Sequence, residues 1–174
     1  VRAMLFADVK NFSKLHDEQT PAFFQHFLAE VRHLIDATAE KPLFQNTWGD
    51  GLFLVFSHVL PAATFAWSLL QRVEAVNWAK FGLPHDTAVR IGLHAGPVYP
   101  RHDPIVGKQN FFGSHVNRAA RIEPVTTPGC AFATEQFAAL LAVDSTDFRC
   151  EYVGVEDLAK GYDRCTLYRL TRST

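Results

Sequence analysis

Two helix-period stretches bracket a hairpin, and an apolar strand-like run borders each of them on the far side. Few folds accept that order. Residues 3–9 form a short apolar run closed by a polar loop, the pattern of a buried strand. From Pro21 to about Glu40, the residues Phe24, Phe27, Leu28, Val31, Leu34 and Ile35 recur at helical spacing. Thr20 reads as the N-cap and Pro21 as the first helical position. Residues 43–47 and 52–56 flank Trp48-Gly49-Asp50-Gly51, a hairpin turn. Residues 61–80 read as a second amphipathic helix ending near Gly82 and Pro84. Residues 87–95 alternate as a strand until Gly96-Pro97 breaks it.

Beyond that point, residues 98–110 read as a polar loop with short strand pieces, and 113–123 as a helix stopped by Pro124. Residues 129–134 read as a strand, 135–141 as a short helix, and 148–153 and 165–170 as closing strands. Strand, helix, hairpin, helix, strand, then an α/β tail predicts an α+β chain. The expected architecture is ferredoxin-like, with an antiparallel-rich central sheet and its helices on one face. At 174 residues the natural division is one domain, residues 1–174. Fifteen Phe supply ample core material.

A net charge of −1 without any Lys/Arg run argues against a nucleic-acid partner or a polybasic membrane contact. Cys130, Cys150 and Cys165 are odd in number and lack CxxC spacing, so they read as free thiols of a reducing cytoplasm. No apolar run approaches the roughly 18 residues of a membrane span, and no signal peptide opens the chain. Val1 stands almost directly before a strand, as in a fragment of a longer protein.

The chemistry concentrates in three places. Asp8 ends the first strand, and Asp50 sits in the hairpin turn. Asn117 and Arg121 are spaced i,i+4, so a helix puts both on one face. Hard carboxylate oxygens suit Mg²⁺, which usually takes one or two of them and leaves its other positions to water and phosphates. An amide beside a guanidinium can hold a ribose oxygen and a phosphate gaining charge. Each residue also has a plain alternative. Asp50 could serve the turn, Asp8 could cap the following loop, and Arg121 could pair with Glu123 or Asp17. Arg90 could be an outward-facing strand arginine. His94 and His115 have no partner with metal-ligand spacing and read as structural.

Together these segments resemble the class III nucleotidyl cyclase catalytic domain, the adenylate and guanylate cyclase homology fold. The anchors are Phe6-Ala7-Asp8-Val9-Lys10-Asn11-Phe12-Ser13, Gly49-Asp50-Gly51, Arg90-Ile91-Gly92-Leu93-His94-Ala95-Gly96-Pro97-Val98, Gly113 through Glu123, and Leu158-Ala159-Lys160-Gly161. The resemblance implies a head-to-tail homodimer with active sites shared between protomers. It implies that Asp8 and Asp50, helped by the Val9 carbonyl, bind two Mg²⁺ or Mn²⁺ ions. One ion would activate the ribose 3′-hydroxyl of a nucleoside triphosphate, and the other would hold the triphosphate. Asn117 would orient the ribose, Arg121 would stabilise the α-phosphate, and Arg90 and Lys160 would contact the polyphosphate.

The chain departs from that family where the base is read. Purine cyclases typically carry Lys with Asp or Thr, or Glu with Cys, at the positions here held by Asn46 and Asn110. An Asn amide offers both donors and an acceptor, which match uracil or cytosine edges without a charge-assisted preference for a purine. Trp48 could close a smaller base pocket or stand as a strand-end core aromatic. Ser114, where the family often has Asp or Asn, is a smaller departure. This non-purine code resembles bacterial pyrimidine cyclases of anti-phage defence, with UTP ahead of CTP. The alternatives are an adenylate cyclase making cyclic AMP and an inactive, regulatory cyclase-like domain.

Overall fold

The computed structural model describes residues 1–159, 161 and 164–173. Its strands are β1 (Arg2–Val9), β2 (Phe44–Trp48), β3 (Gly51–Phe56), β4 (Val89–Gly96), β5 (Tyr99–Asp103), β6 (Lys108–Phe112), β7 (Ala131–Thr134), β8 (Phe148–Asp157) and β9 (Arg164–Arg172). Seven of them form one sheet in the order β2-β3-β1-β4-β7-β9-β8, and β5 and β6 form a separate hairpin. The large sheet is antiparallel except where β4 pairs with β7. The helices are α1 (residues 20–37), α2 (Val59–Ala75), α3 (Ser114–Ile122) and α4 (Glu135–Asp144).

The helices do not all share one face, contrary to the sequence expectation. In β1, the side chains of Ala3, Leu5, Ala7 and Val9 enter the large core beneath α1, α2 and α4. Those of Met4 and Phe6 point the other way, into a second cluster with Phe53, Val55 and Ala119 of α3. Strands β1 and β3 are apolar on both faces, so one helical layer would leave Met4, Phe6, Phe53 and Val55 in water. The apolar side of α3, together with Phe44, Val98 and Phe111, packs into that cluster.

Helix α1 also departs from a simple 3.6-residue reading. Between Phe23 and Phe27 it widens into a π turn, with the Leu28 N–H donating to the Phe23 carbonyl. The wide turn shifts the phase, so Phe23, Phe27, Val31 and Ile35 are buried at four-residue spacing, while Phe24 is 49% exposed. Phe23 stacks on Phe27 at 4.8 Å and tilts against Phe12 at 4.7 Å. Truncating such a side chain to Ala costs about 3–5 kcal/mol. Gln19, not Thr20, occupies the N-cap, and its side chain makes no capping bond.

Other limits shift modestly. The helix read over 61–80 is α2 followed by a 3₁₀ turn, Trp78–Phe81. The polar loop is the β5–β6 hairpin. The three cysteines are free. Among the described residues, no helix is long and apolar enough to cross a membrane.

Candidate active site

Asp8 stands one residue from the end of β1 on the face covered by α3, and its Cα partner across the β1–β4 ladder is Arg90. Arg90 grips both carboxylate oxygens: Nε donates to Oδ1 at 2.9 Å and an Nη to Oδ2 at 2.6 Å. These charge-assisted bonds hold the guanidinium in its charged form and raise its pKa further. Arg90 is therefore not the plain outward-facing strand residue of the alternative reading.

Asp50 comes to the same place through the β2–β3 turn. Gly49 has φ 62° at the first central position, the requirement of a type II′ hairpin turn. The Val9 N–H donates to Asp50 Oδ2 at 2.9 Å, so the turn is pinned to the end of β1. Burial raises the Asp50 pKa, the Val9 hydrogen bond opposes this, and the Asp8 charge adds to the rise.

A third carboxylate joins them. Glu123 follows the last residue of α3, and its Oε1 lies 3.1 Å from Arg90 Nε. The single Nε hydrogen is aimed at Asp8, however, and Glu123 Oε1 is buried without a hydrogen-bond partner. Burial first, then hydrogen bonding to Asp8 and its charge, push the Glu123 pKa up to about 8. From the sequence, Glu123 reads as a partner for Arg121. A carboxylate between Ile122 and Pro124, at the end of a helix with an apolar stripe, was the available signal.

The approach of α3 depends on a glycine in β4. A Cβ on Gly92 would sit 2.6 Å from the Glu123 backbone nitrogen, so only glycine lets the end of α3 lie against the strand. Asn117 is exposed on α3, and Arg121, one turn later, is half-buried. Asn46 is half-buried on β2. Asn110, on β6, is half-buried, and its Oδ1 accepts from the Phe111 N–H at 2.7 Å. Phe44 and Phe111, neighbours of those two positions, meet edge-on at 6.0 Å. Trp48 is 54% exposed with its ring 6.3 Å from Phe6, so it is not the core aromatic of the plain reading. The structure thus groups Asp8, Val9, Asp50 and Arg90 with Glu123. Asn46, Asn110 and Asn117 sit on separate elements. Lys160 lies outside the described residues.

Residues 2–172 match the sequence profile of the Adenylate and Guanylate cyclase catalytic domain family. The chain belongs to that family. The cyclase domain is 24% identical to an adenylate cyclase of Schizosaccharomyces pombe, a match covering 90% of this chain and 10% of that protein. It spans between 7% and 21% of the length of the first curated relatives it matches. Its fold is shared by the guanylate cyclase domain of RhGC from Catenaria anguillulae, solved in complex with GTP. That likeness has a TM-score of 0.82 at 19% identity, over 99% of this chain and 97% of the other. The adenylyl cyclase CyaB from P. aeruginosa superposes with a TM-score of 0.84 at 15% identity, over 99% and 94%.

The side-chain oxygens at the Asp8–Asp50 end of the domain are carboxylates, hard donors of the kind that suit Mg²⁺ or Mn²⁺. Two like-charged carboxylates held together, with Arg90 as their counter-charge, fit a divalent cation. Among the described residues, no group of three or more His, Cys, Asp or Glu side chains is arranged to hold a metal ion by itself. The fit rests on a two-carboxylate site completed by other oxygens.

Proposed function

We propose that this domain is an active nucleotidyl cyclase, converting a nucleoside triphosphate to a 3′,5′-cyclic nucleotide and pyrophosphate. The observation that carries the reading is the intact pair Asp8 and Asp50, pinned together by the Val9–Asp50 hydrogen bond. The retained Asn117 and Arg121 on α3 support it. The 3′-oxygen attacks the α-phosphorus, its proton leaves, and the bond to the β-phosphate oxygen breaks. Divalent ions held by Asp8, Asp50 and the Val9 carbonyl would supply Lewis acidity at the 3′-oxygen and the phosphates. Arg90 neutralises Asp8 in the free protein and can turn to the polyphosphate once that carboxylate has another counter-charge. Asn117 orients the ribose, and Arg121 faces the charge that grows on the α-phosphate. Lys160 is assigned to the polyphosphate with them.

The working unit in this reading is a homodimer with shared sites. The β5–β6 hairpin exposes Tyr99, Ile105, Val106 and Phe112, apolar surface suited to a second copy. For the base, Asn46 and Asn110 replace the charged purine-reading pair, so a pyrimidine is preferred, UTP ahead of CTP. A cyclic pyrimidine nucleotide would then act as a second messenger of antiviral defence. The test is a product assay of the purified domain with each of the four NTPs and Mn²⁺. A cyclic pyrimidine nucleotide as main product supports the full reading, cyclic AMP or cyclic GMP only its cyclase part, and no cyclic product sinks it.

A further inference from the structure

His94 and His115 read as unconnected structural residues in the sequence, yet the fold brings them together. His94, on β4, is fully buried. Its Nδ1 lies 2.8 Å from Thr134 Oγ1 and its Nε2 lies 2.8 Å from His115 Nδ1. The two imidazoles are nearly parallel, at 9° with centroids 5.1 Å apart. Thr134 is in turn the N-cap of α4, its Oγ1 accepting from the Phe137 N–H at 3.5 Å. A Cβ on Gly96 would fall 2.2 Å from His115 Nδ1, so the strand is cleared for this ring.

Among the described residues, the N-cap of α3, Gly113 with φ 136°, makes no side-chain capping bond. His115 is the second residue of the helix, two before Asn117. We propose that His94 and His115 position the first turn of α3, and through it Asn117, by a directed hydrogen-bond chain running from Thr134. They are positioning residues, and the proposal rests on the cyclase reading above.

The direction follows from giving each buried hydrogen an acceptor. The Thr134 hydroxyl donates to His94 Nδ1, His94 Nε2–H donates to His115 Nδ1, and His115 carries its own hydrogen on Nε2. Protonation of His115 would put a second hydrogen between the rings. The bond then breaks, or His94 reverses its tautomer and takes away the acceptor of the Thr134 hydroxyl. Burial most of all, then for His94 the neighbouring His115, and for both rings the charge of Arg118 of α3, disfavour the imidazolium. Cys165 of β9 interacts with Arg118 in turn, and Glu135 of α4 acts on the same thiol. The chain therefore holds at neutral pH and opens only below the usual histidine range.

The test compares wild type, His115→Leu and His115→Asn in the full chain, by cyclase kinetics with Mn²⁺-NTP and by amide hydrogen exchange. His115→Leu removes the acceptor. It should lower kcat about tenfold or more with KM within threefold, and speed exchange at the Asn117 and Arg118 amides about tenfold or more. His115→Asn keeps an acceptor and cannot titrate. It should restore kcat to within threefold of wild type and abolish the acid limb of the pH profile assigned to His115. Unchanged exchange in His115→Leu overturns the proposal even if no NTP is turned over, an outcome that would separately defeat the cyclase reading. Faster exchange with unchanged kcat overturns the link to Asn117, and an unshifted acid limb in His115→Asn overturns the role of the neutral imidazole.

Discussion

Asp8 and Arg90 face each other directly across the β1–β4 ladder, and the arginine closes on both carboxylate oxygens at 2.9 and 2.6 Å. This pairing answers an electrostatic need of the β1 end. A partly buried carboxylate beside two others needs a counter-charge, and Arg90 supplies it. An unpaired buried charge is expensive, so removing either partner should be felt in stability as well as chemistry.

Asp8→Ala and Asp50→Ala should each lower turnover with Mg²⁺ or Mn²⁺ a few hundredfold to several thousandfold, the equivalent of roughly 3–5 kcal/mol of transition-state charge stabilisation. Calorimetric titration of Mn²⁺ should show weakened binding in the same variants while circular dichroism shows the fold intact. Near wild-type turnover in either variant would refute the metal assignment.

Asp50→Ala and Arg121→Ala should each be inactive alone and regain activity when mixed, because one hybrid site of a head-to-tail dimer combines two intact halves. The expected recovery is about a quarter of wild-type activity for random pairing, where half the dimers are hybrid and each has one good site. Heterodimers shown to form but without activity would place all the machinery within one protomer.

From an equal NTP mixture, cyclic UMP should be the main product and cyclic CMP the next. Asn46→Lys combined with Asn110→Asp should move turnover towards ATP. A mismatched base leaves buried polar groups unpaired at roughly 1–3 kcal/mol each, enough for about tenfold to a hundredfold discrimination per position. Cyclic AMP as the wild-type product would leave only the general cyclase assignment standing.

The pKa of Glu123, raised to about 8, makes a prediction for stability in metal-free buffer. A raised folded-state pKa favours the protonated form. Its contribution is full below the ordinary glutamate value and is lost as pH rises through about 8. Glu123→Gln, which keeps the shape without the charge, should therefore gain in Tm relative to wild type between pH 5 and pH 9. The gain should be several degrees, at roughly 2–4 °C per kcal/mol for a domain of this size. A pH-independent difference between the two proteins would show that Glu123 is already ionised at neutral pH.

Periodicity and turn chemistry are local, and they made much of this protein legible. The alternation of strand, helix and hairpin, the glycine that Asp50 needs before it in the turn, and the i,i+4 spacing of Asn117 and Arg121 are all read from residues a few positions apart. What the sequence by itself determined was this set of elements and the chemical types of the site. The tertiary structure alone decided which residues meet. Asp8 finds Arg90 because β1 and β4 pair in one register, 82 residues apart in sequence. Glu123 reaches them only because α3 covers the second apolar face of the sheet, against a strand opened by Gly92. The same placement joins His94 to His115, and the π turn in α1 exchanges Phe23 for Phe24 in the core. Such partnerships are fixed by register and by the burial of both sheet faces at once, which no local pattern encodes.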